Sequence, residues 1–406
     1  MNKNFWIFFI LVFLIRIFLF NFPSFHIDMN TWEAWAYRLV NGGFPNFYSK
    51  EFYSEYFPGY LYFLWVLGNI YHIIFSKLSF SSFQFEVLIK SVTTVFDLGT
   101  SYLIYKIVLS IKPKFAPIAA LIYFVNPAVI FNSSVWGQID GIYTFFIVLS
   151  SYFLIGKNKI FTSTLLSSIA FLIKPQAIFL LPISFFTTLK NQRLISTFSS
   201  VIIFTFLTFI LSFPFFPSNP VTGFIGMAQR SADLYPYTSL FAFNFWSIFG
   251  WWRLDSQSFI FSFKTWGIIF YSLSLIAIII PNLLKKVKRI KLATFYSMLL
   301  LSFFSSFLFL TRMHERYLFP VLAVFLIYAI SNKRALILYY LISVVHLLNL
   351  WYVYYYYDFI YNNPSIAPNA LYNFIDSYHS LFSVFLIVSF FVILVHYYSP
   401  YVKKTA

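Results

Sequence analysis

Two carboxylates in the first polar segment of the chain could act as a general base. Asp28 follows the apolar run 5–20, and Glu55 precedes the segment Tyr-Phe-Pro-Gly-Tyr at 56–60. A carboxylate can accept the proton of a hydroxyl group while the oxygen attacks an electrophilic carbon. By composition alone, Asp28 could equally be a solvated residue that caps a turn, and Glu55 could contact an acceptor. In a third interpretation His26 and Asp28 are metal ligands, but no further ligand lies near them in the sequence.

Basic residues that could bind a phosphate lie further along the chain. Arg312 and Arg316 are four residues apart, so a helix would place both on one face, within a turn of His314. Guanidinium groups present forked donors that match phosphate oxygens, and we favour Arg316, with Glu315 or His314 orienting it. Lys174 lies at the turn between two apolar runs, where burial favours an anionic partner. The alternatives are an Arg–Glu bridge and a snorkelling lysine.

One lysine and one aspartate lie inside the same apolar run, 86–110. Lys90 and Asp97 are seven residues apart and therefore share a helix face. Ionisable groups inside a membrane-spanning helix are costly, so each needs either a substrate or a partner that locks two helices together. We predict that Lys90 lies near a bound phosphate and that Asp97 has the structural role.

Aromatic and polar side chains suited to a sugar occur together at residues 136–140, Trp-Gly-Gln-Ile-Asp. The indole offers an apolar face for stacking, and the amide and carboxylate groups can bind sugar hydroxyls. Alternatively Trp136 anchors the chain at the membrane interface and Asp140 caps the next helix, and both interpretations can hold together. The residues that we assign to sugar or acceptor binding are Trp136, Gln138, Asp140, Gln176, His314 and Tyr56.

The composition requires that the elements carrying these residues lie in a membrane. Of 406 residues, 60% are hydrophobic, 24% are aromatic and only 10% are charged, and the mean hydropathy is +0.77. A soluble domain has about 25% charged residues, so soluble enzymes, nucleic-acid-binding proteins and disordered scaffolds are excluded. The absence of cysteine excludes disulfides, thiol catalysis and zinc–thiolate sites. We expect one membrane domain over residues 1–406, without a separate soluble domain.

The distribution of charge predicts the topology. We expect about 12 membrane-spanning helices (roughly 11–14), the first of them an uncleaved helix over residues 5–20. If residues 58–76 crossed the membrane, every later loop would lie on the opposite side from the one that its charge predicts. We therefore expect this segment to dip in and return or to lie against the bundle. Every acidic residue except Asp97 falls in or at the rim of the outer loops, so any chemistry faces outward. The basic flanks place both termini in the cytoplasm; they are Lys3, Lys112/Lys114, Lys157/Lys159, Lys190/Arg193, Lys285–Lys291, Lys333/Arg334 and Lys403/Lys404.

The first outer loop, residues 22–57, contains the pattern of a short amphipathic helix. Asn30 and Glu33 have the spacing of a capping box at its start. Apolar residues then recur at helical intervals before Gly42-Gly43, at Trp32, Trp35, Ala36, Leu39 and Val40. We predict that this helix lies in the membrane plane with its tryptophans at headgroup level. The other large outer loop is 214–262.

The ordered set of segments resembles the GT-C superfamily of polytopic glycosyltransferases, which use polyprenyl-phosphate sugars. More specifically, the chain is similar to prokaryotic mannosyltransferase-like proteins related to the second GPI mannosyltransferase. Phe57-Pro58 stands where such relatives commonly have a Pro-Pro pair. The matching segments, in order, are His26-Ile27-Asp28, Trp35-Ala36, Gly42, Glu55-Tyr56-Phe57-Pro58-Gly59-Tyr60, Lys90, Asp97-Leu98, Asn126-Pro127, Trp136-Gly137-Gln138-Ile139-Asp140, Leu172-Ile173-Lys174-Pro175-Gln176 and Arg312-Met313-His314-Glu315-Arg316-Tyr317-Leu318-Phe319-Pro320.

The resemblance implies an all-α GT-C fold and the inverting transfer of a single sugar, with mannose as the expected sugar. It implies that Asp28 is the base, with Glu55 as an alternative base or acceptor contact. The residues expected around the donor phosphate are Lys174, Arg316, Arg312 and Lys90. No metal or other cofactor is expected. The expected partners are a polyprenyl-phosphate sugar, membrane lipid and an unidentified glycan, lipid or protein acceptor, with no nucleic acid. The expected location is the plasma membrane, with the active site on the extracytoplasmic face.

Two other functions fit parts of the pattern. A polyprenyl-diphosphate glycan ligase or polymerase is also polytopic, outward-facing and arginine-dependent, but it usually relies on a larger outer loop than either one here. A lipid-sugar transporter or flippase would usually have internal repeats and ionisable residues deep in several spans. We find no internal repeat, and the ionisable residues within spans are Arg16, Lys90, Asp97 and Lys106.

Overall fold

The computed structural model describes residues 3–49, 52, 54–75, 82–330, 332–363 and 365–402. Glu51, Lys403 and Lys404, which enter the topology prediction, lie outside these residues. The described α-helices are α1 (Lys3–Leu19), α2 (His26–Gly42), α3 (Pro58–Phe75), α4 (Phe83–Leu109), α5 (Ala116–Phe124), α6 (Pro127–Ile130), α7 (Asp140–Ser151), α8 (Ile160–Ile173), α9 (Leu181–Asn191), α10 (Leu194–Ser212), α11 (Pro220–Asp233), α12 (Phe263–Leu284), α13 (Leu292–Phe309), α14 (Phe319–Ala329), α15 (Lys333–Tyr355) and α16 (Ala370–Val402).

Short 3-10 and π-helical segments and four two-residue strands complete the architecture. The π-helical segments extend α6, α7 and α15, at Phe131–Trp136, Tyr152–Gly156 and Tyr356–Tyr361. The 3-10 segments are Phe44–Asn46, Pro113–Phe115, Pro175–Leu180, Phe213–Phe215, Trp246–Phe249 and Glu315–Leu318. The strands are β1 (Ser239–Leu240), β2 (Ser258–Phe259), β3 (Phe261–Ser262) and β4 (Met313–His314).

Six helices in the described part of the chain are long and apolar enough to cross a membrane, or seven if one bent helix pair counts as a span. The prediction of an all-α polytopic protein therefore agrees with the structure. The expected count of about 12 spans includes shorter helices as well and stays a prediction. The six are Phe83–Leu109, Leu194–Phe215, Phe263–Leu284, Leu292–Phe309, Lys333–Tyr361 and Ala370–Tyr401, and the bent pair is Pro113–Phe124 with Pro127–Trp136.

The centre of the bundle is formed by α13 and α14, and α10 lies at its edge. Within the membrane-length window of each helix, 83% of α13 is buried but only 11% of α10. Every residue of α14 except Tyr328 is buried. Because α10 exposes large apolar side chains such as Ile202 and Phe206, it suits a lipid-facing position.

The amphipathic helix predicted within residues 22–57 is present as α2, but it starts earlier than predicted. Helix α2 begins at His26 with Phe25 as N-cap, so Asn30 lies inside the helix and the predicted capping box is wrong. Glu33 instead accepts a hydrogen bond from the backbone N–H of Ser82 at 3.0 Å. The sequence pattern identified the helix but not its first turn, because a tertiary partner of Glu33 replaces the local one.

The tryptophans of α2 are buried against other parts of the protein. Trp32 and Trp35 are each about 1% exposed. The Trp32 ring lies 5.4 Å from the ring of Tyr60, and the Trp35 ring lies 5.2 Å from that of Tyr56. Edge-to-face packing of this kind adds to the large apolar area that each ring buries. The predicted apolar stripe therefore agrees with the structure, and the predicted placement of the tryptophans at headgroup level stays a prediction.

Residues 58–75 form one continuous helix, α3, which packs against α2 and α8. The predicted alternative in which this segment dips in and turns back is therefore wrong. The alternative in which it lies against the bundle agrees with the packing. Its first turn approaches the end of α8 closely, since a Cβ atom on Gly59 would lie 2.6 Å from the backbone nitrogen of Ile173.

Gly59→Ala is expected to lower the stability of the protein by about 3 kcal/mol, because the new methyl group meets backbone that no rotamer change can move. Thermal unfolding of the purified protein measures the effect. Gly226→Ala is the matched control, since a Cβ atom there meets only the end of Arg230 at 3.9 Å and alanine favours the helix. Equal melting temperatures for both variants would show that α3 and α8 are not in close contact.

The segment 214–262, which the sequence predicts to be an outer loop, contains α11 and is joined to the segment before α14. Strand β1 pairs with β4 in parallel, with Ser239 opposite Met313 and Leu240 opposite His314. The backbone N–H of Arg312 donates to the carbonyl of Tyr237 at 2.8 Å. This pairing fixes the loop against residues 312–318, which carry three of the predicted site residues.

The buried aspartate of α4 and its ion-pair partner join four segments of the bundle. Asp97 pairs with Arg16 of α1 at 2.8 Å, and neither side chain has any exposure. The same guanidinium group donates two hydrogen bonds to the carbonyl of Phe124, at 2.9 and 3.2 Å, and Ser133 donates to Asp97. The predicted structural role of Asp97 agrees with these contacts, and its ion-pair partner is Arg16.

Candidate active site

Asp28 lies in the first turn of α2, half-buried, with one carboxylate oxygen held by two donors. Oδ2 accepts hydrogen bonds from Trp136 Nε1 at 3.0 Å and from Gln138 Nε2. Within the described residues both hydrogen bonds of this carboxylate go to Oδ2, which leaves Oδ1 for another donor. Gly137 has φ +85° and so allows the sharp turn that brings both flanking side chains to one oxygen.

Lys174 follows the last residue of α8 and is paired with Asp140 at the start of α7. Its Nζ lies 2.5 Å from Asp140 Oδ1, and Asn132 donates to Asp140 Oδ2 at 3.2 Å. Burial lowers the pKa of Lys174, and the Asp140 carboxylate opposes that shift. The ammonium group also lies over the ring of Tyr317, 5.2 Å from its centre. It lies over the ring of Tyr143 as well, at 5.5 Å, so Lys174 is a buried cation that faces one carboxylate and two aromatic rings.

Arg316 lies in the 3-10 segment before α14, next to its ion-pair partner Glu315. Arg316 Nη1 is 2.8 Å from Glu315 Oε1, and both side chains are more than nine-tenths buried. Burial raises the pKa of Glu315, and the neighbouring guanidinium opposes that shift. Arg316 Nε is also buried and has no hydrogen-bond partner among the residues described. A buried N–H on a charged group that lacks a partner is costly, so the geometry favours an anion here.

Two cavities meet at Arg316. The larger has a volume of about 360 Å³ and contains Lys174 and Gln176 in its wall. The smaller has a volume of about 240 Å³ and contains Asp28 and Trp32. The walls of both include the same five residues, Glu55, Tyr235, Leu240, His314 and Arg316. The two cavities therefore adjoin, with a carboxylate on one side of the shared wall and a buried lysine on the other.

The structure brings eight of the predicted site residues into the cavity walls. Besides Arg316, two of these carry buried polar atoms with no partner in the described part of the chain, Tyr56 Oη and Gln176 Oε1. Such atoms can bind the hydroxyl groups of a ligand. The eight are Asp28, Glu55, Tyr56, Lys174, Gln176, Arg312, His314 and Arg316.

The other four predicted site residues lie behind the cavity walls. Trp136, Gln138 and Asp140 have no exposure and contact Asp28 or Lys174 instead of lining either cavity. Lys90 Nζ donates to the carbonyls of Phe20 at 3.1 Å and Phe22 at 2.7 Å, which fixes the chain just before α2. These contacts replace the sugar and phosphate contacts that the sequence suggested for these residues.

Arg312 and Arg316 do not share a helix face, so that prediction is wrong. Arg312 has φ +65° and is followed by β4, because pairing with β1 holds this stretch in an extended form. Its guanidinium group reaches Asp255 Oδ2 at 2.7 Å and Asp233 Oδ1 at 2.8 Å, and it donates to the carbonyl of Ala232. These hydrogen bonds raise the pKa of Arg312. Arg312 thus connects the end of α11 to the segment before α14, in the wall of the larger cavity.

The structure also adds wall residues that the sequence did not single out. Tyr235 contributes to both cavities, and Lys264 contributes a cation to the larger one in addition to Lys174, Arg312 and Arg316. Helix α11 contributes Ala228, Ser231 and Ala232. These wall residues could have been anticipated only from the amphipathic pattern of residues 220–233, which predicts a helix that packs against a surface.

His26 is held in position by contacts with residues that follow α15. Its Nδ1 contacts Asp358, and its Nε2 lies 2.9 Å from Asn362 Nδ2, both at the π-helical end of α15. Across the described ranges, no group of three or more His, Asp or Glu side chains lies close enough together to hold a metal ion. The expectation that no metal is needed stays a prediction.

His314 is expected to make the protein less stable in mild acid. Burial, together with the positive charges of Arg316 and Lys174, holds the pKa of His314 well below its usual range. The unfolded chain therefore binds a proton near pH 6.5 that the folded protein binds only at lower pH, so stability falls as the pH drops below about 6.5. Melting temperatures between pH 7.5 and 5 are expected to fall less for His314→Gln than for the wild type. Parallel curves would contradict the proposed cause.

No protein-family model matches the chain, and no curated protein matches it either.

Proposed function

We propose that the chain is an inverting glycosyltransferase of the GT-C type, which transfers one sugar from a polyprenyl phosphate to an acceptor hydroxyl group. The observation that carries the proposal is the pair of adjoining cavities. Asp28 stands in the wall of the smaller one and Lys174 in the wall of the larger one, with Arg316 in the wall that they share. A base and an anion site side by side are what transfer from a phosphate to a hydroxyl requires.

The larger cavity suits a phosphate that carries a monosaccharide. Its volume of about 360 Å³ is in the range of small-ligand sites. Lys174 and Lys264 supply point charges, and the unpartnered Nε of Arg316 supplies a donor already held in place by Glu315. Because Lys174 and Arg316 are buried, their attraction for an anion is stronger than it would be in water, whereas Lys264 is exposed.

An aromatic groove next to the larger cavity suits the prenyl chain of the donor. The groove has a volume of about 360 Å³ and an almost wholly apolar lining. It adjoins the larger cavity along the chain, since Phe263 lines the groove and Lys264 lines the cavity. Its wall consists of Thr238, Phe245, Trp246, Phe249, Arg253, Phe259, Phe263, Trp266 and Phe270. Rings of this kind bury an isoprenoid chain without leaving polar groups unpaired.

The proposed reaction is a single displacement at the anomeric carbon. Asp28 Oδ1 accepts the proton of the acceptor hydroxyl, and the acceptor oxygen forms a bond to the anomeric carbon from the side opposite the phosphate. The bond from that carbon to the phosphate oxygen breaks, and its electron pair stays on the phosphate. Polyprenyl phosphate leaves with one more negative charge, which Lys174 and Arg316 neutralise, so no general acid is required.

The finer features of the proposal rest on the resemblance of the sequence to GT-C enzymes. They are mannose as the sugar, about 12 spans, cytoplasmic termini, an outward-facing site in the plasma membrane and independence of metal ions. The buried ion pair between Arg16 and Asp97 favours an enzyme over a transporter, because these two groups neutralise each other and do not form a relay.

The test is sugar transfer by the purified protein in lipid nanodiscs, with a panel of polyprenyl-phosphate monosaccharides. We expect turnover of one donor, and we expect Arg316→Gln to weaken donor binding about 10- to 100-fold, since a hydrogen bond to a charged group is lost. Arg230→Gln is the matched control, because Arg230 is an exposed outer-loop arginine of α11 that lines neither cavity.

Two results would replace the proposal. Activity only with diphosphate-linked glycans would identify a ligase or polymerase. Movement of sugar lipid across vesicles without new glycosidic bonds would identify a transporter.

A further inference from the structure

We infer that residues 136–140 form one positioning element that fixes the base carboxylate and the phosphate-side lysine relative to each other. The inference rests on the proposed function and deepens it. Trp136 and Gln138 hold Asp28 from one end of this five-residue segment, and Asp140 holds Lys174 from the other. None of the three side chains lines a cavity, so they act through the residues that do.

The segment is rigid enough for this role. The backbone N–H of Gln138 donates to the carbonyl of Asn132 at 2.8 Å, and the carbonyl of Trp136 accepts from the N–H of Phe25 at 3.2 Å. The Trp136 ring packs 4.6 Å from that of Phe25, and both are buried. Phe25 is also the N-cap residue of α2, so the segment is tied to the helix turn that carries Asp28.

The orientation of the Gln138 amide is set by its second contact. Its Oε1 accepts from the backbone N–H of Ile139 at 3.2 Å, which directs Nε2 towards Asp28. Two N–H donors on Oδ2 hold the carboxylate in one orientation and leave Oδ1 for the proton, in a residue that lines the smaller cavity. A base held in this way meets the acceptor hydroxyl without reorganisation in the transition state.

At the other end, Asp140 sets the position of a cation. Its two oxygens are used by Lys174 and by Asn132, so the lysine is held at a single place in the cavity wall. Because both ends belong to five consecutive residues, the base and this cation keep a constant separation. A displacement at the anomeric carbon requires this fixed separation, because the attacking hydroxyl and the leaving phosphate lie on opposite sides of that carbon.

The first test separates positioning from general stability by kinetics. Gln138→Met removes one N–H donor and keeps a similar volume, and Trp136→Phe removes the other donor but also reduces the buried volume. Each is expected to lower kcat about 10- to 100-fold while the KM for the donor changes less than about twofold, because the donor lies in the other cavity. In an Asp28→Asn background the same substitutions are expected to have little further effect, because the carboxylate they position is gone. Equal effects in both backgrounds would overturn the inference.

The second test needs no turnover. The indole N–H signal of Trp136 can be identified in nitrogen-15 spectra by its loss in Trp136→Phe. In Asp28→Ala we expect this signal to shift, because its acceptor is removed, while the other nine tryptophans serve as internal references. An unchanged Trp136 signal would overturn the inference whatever the activity. A wild type that is silent with every donor would instead overturn the proposed function, and the indole shift would then decide by itself whether the carboxylate is held.

Discussion

Asp28→Asn is expected to lower kcat for sugar transfer by about 1000-fold, because the acceptor hydroxyl loses the group that takes its proton. The amide is the same size and can still contact Trp136 and Gln138, so the fold should be unchanged. Donor affinity is expected to stay within about twofold, since Asp28 lines only the smaller cavity. Single-turnover rates and donor binding, measured on the same preparation, check both expectations.

Glu55 provides the comparison for this variant. It is the other carboxylate that both the sequence and the structure place at the site, and it lies in the wall shared by the two cavities. We expect Glu55→Gln to have a smaller effect on kcat than Asp28→Asn. Full activity in Asp28→Asn, together with an inactive Glu55→Gln, would show that Glu55 is the base.

Removing one partner of the Arg16–Asp97 pair is expected to have the largest effect on stability. Both side chains are completely buried, so Asp97→Leu leaves a guanidinium group in the bundle without its counter-charge. Breaking such a pair costs about 3–5 kcal/mol. The double variant Arg16→Met/Asp97→Leu is expected to recover most of the loss, because it leaves no unpaired charge. Unfolding in detergent measures both, and a double variant as unstable as the single one would contradict this account.

The expected effect of Asp97→Leu on catalysis is a further check on its role. Asp97 lines neither cavity. At a temperature where the variant is still folded, we therefore expect its kcat and KM for the donor to be close to those of the wild type. A selective loss of donor binding would mean that the ion pair belongs to the site and not only to the scaffold.

The sequence was sufficient to identify the elements of the site but not their contacts. Periodicity located α2, and the break in apolar character located the end of α8, so Asp28 and Lys174 were both placed at helix ends. Their approach to Arg316 depends on how α2, α8 and the segment before α14 pack. No local pattern encodes that packing. The expectation that Asp28, Lys174 and Arg316 lie together came from the ordered motifs alone.

The errors have a common physical cause. The capping box at Asn30 and the shared helix face of Arg312 and Arg316 are both inferences from local spacing. In each case a contact with a residue distant in the sequence forms instead. Glu33 accepts from the backbone of Ser82, and residues 313–314 pair with β1. In the same way, Trp136 and Gln138 have the right chemistry for a sugar, but both donate hydrogen bonds to the half-buried Asp28. Spacing shows which contacts are possible, and packing decides between them.

The parallel pairing of β1 with β4 has a consequence for the order in which the protein assembles during synthesis. A chain that enters the membrane from its N-terminus has the partners of Asp28 available once residue 138 has emerged. Strand β1, in contrast, must wait until α12 and α13 have been made and β4 follows. Domains generally form from the N-terminal end as they are synthesised. We therefore expect the carboxylate to be anchored early in biogenesis, while the wall that contains Arg316 closes only after residue 316 has left the ribosome.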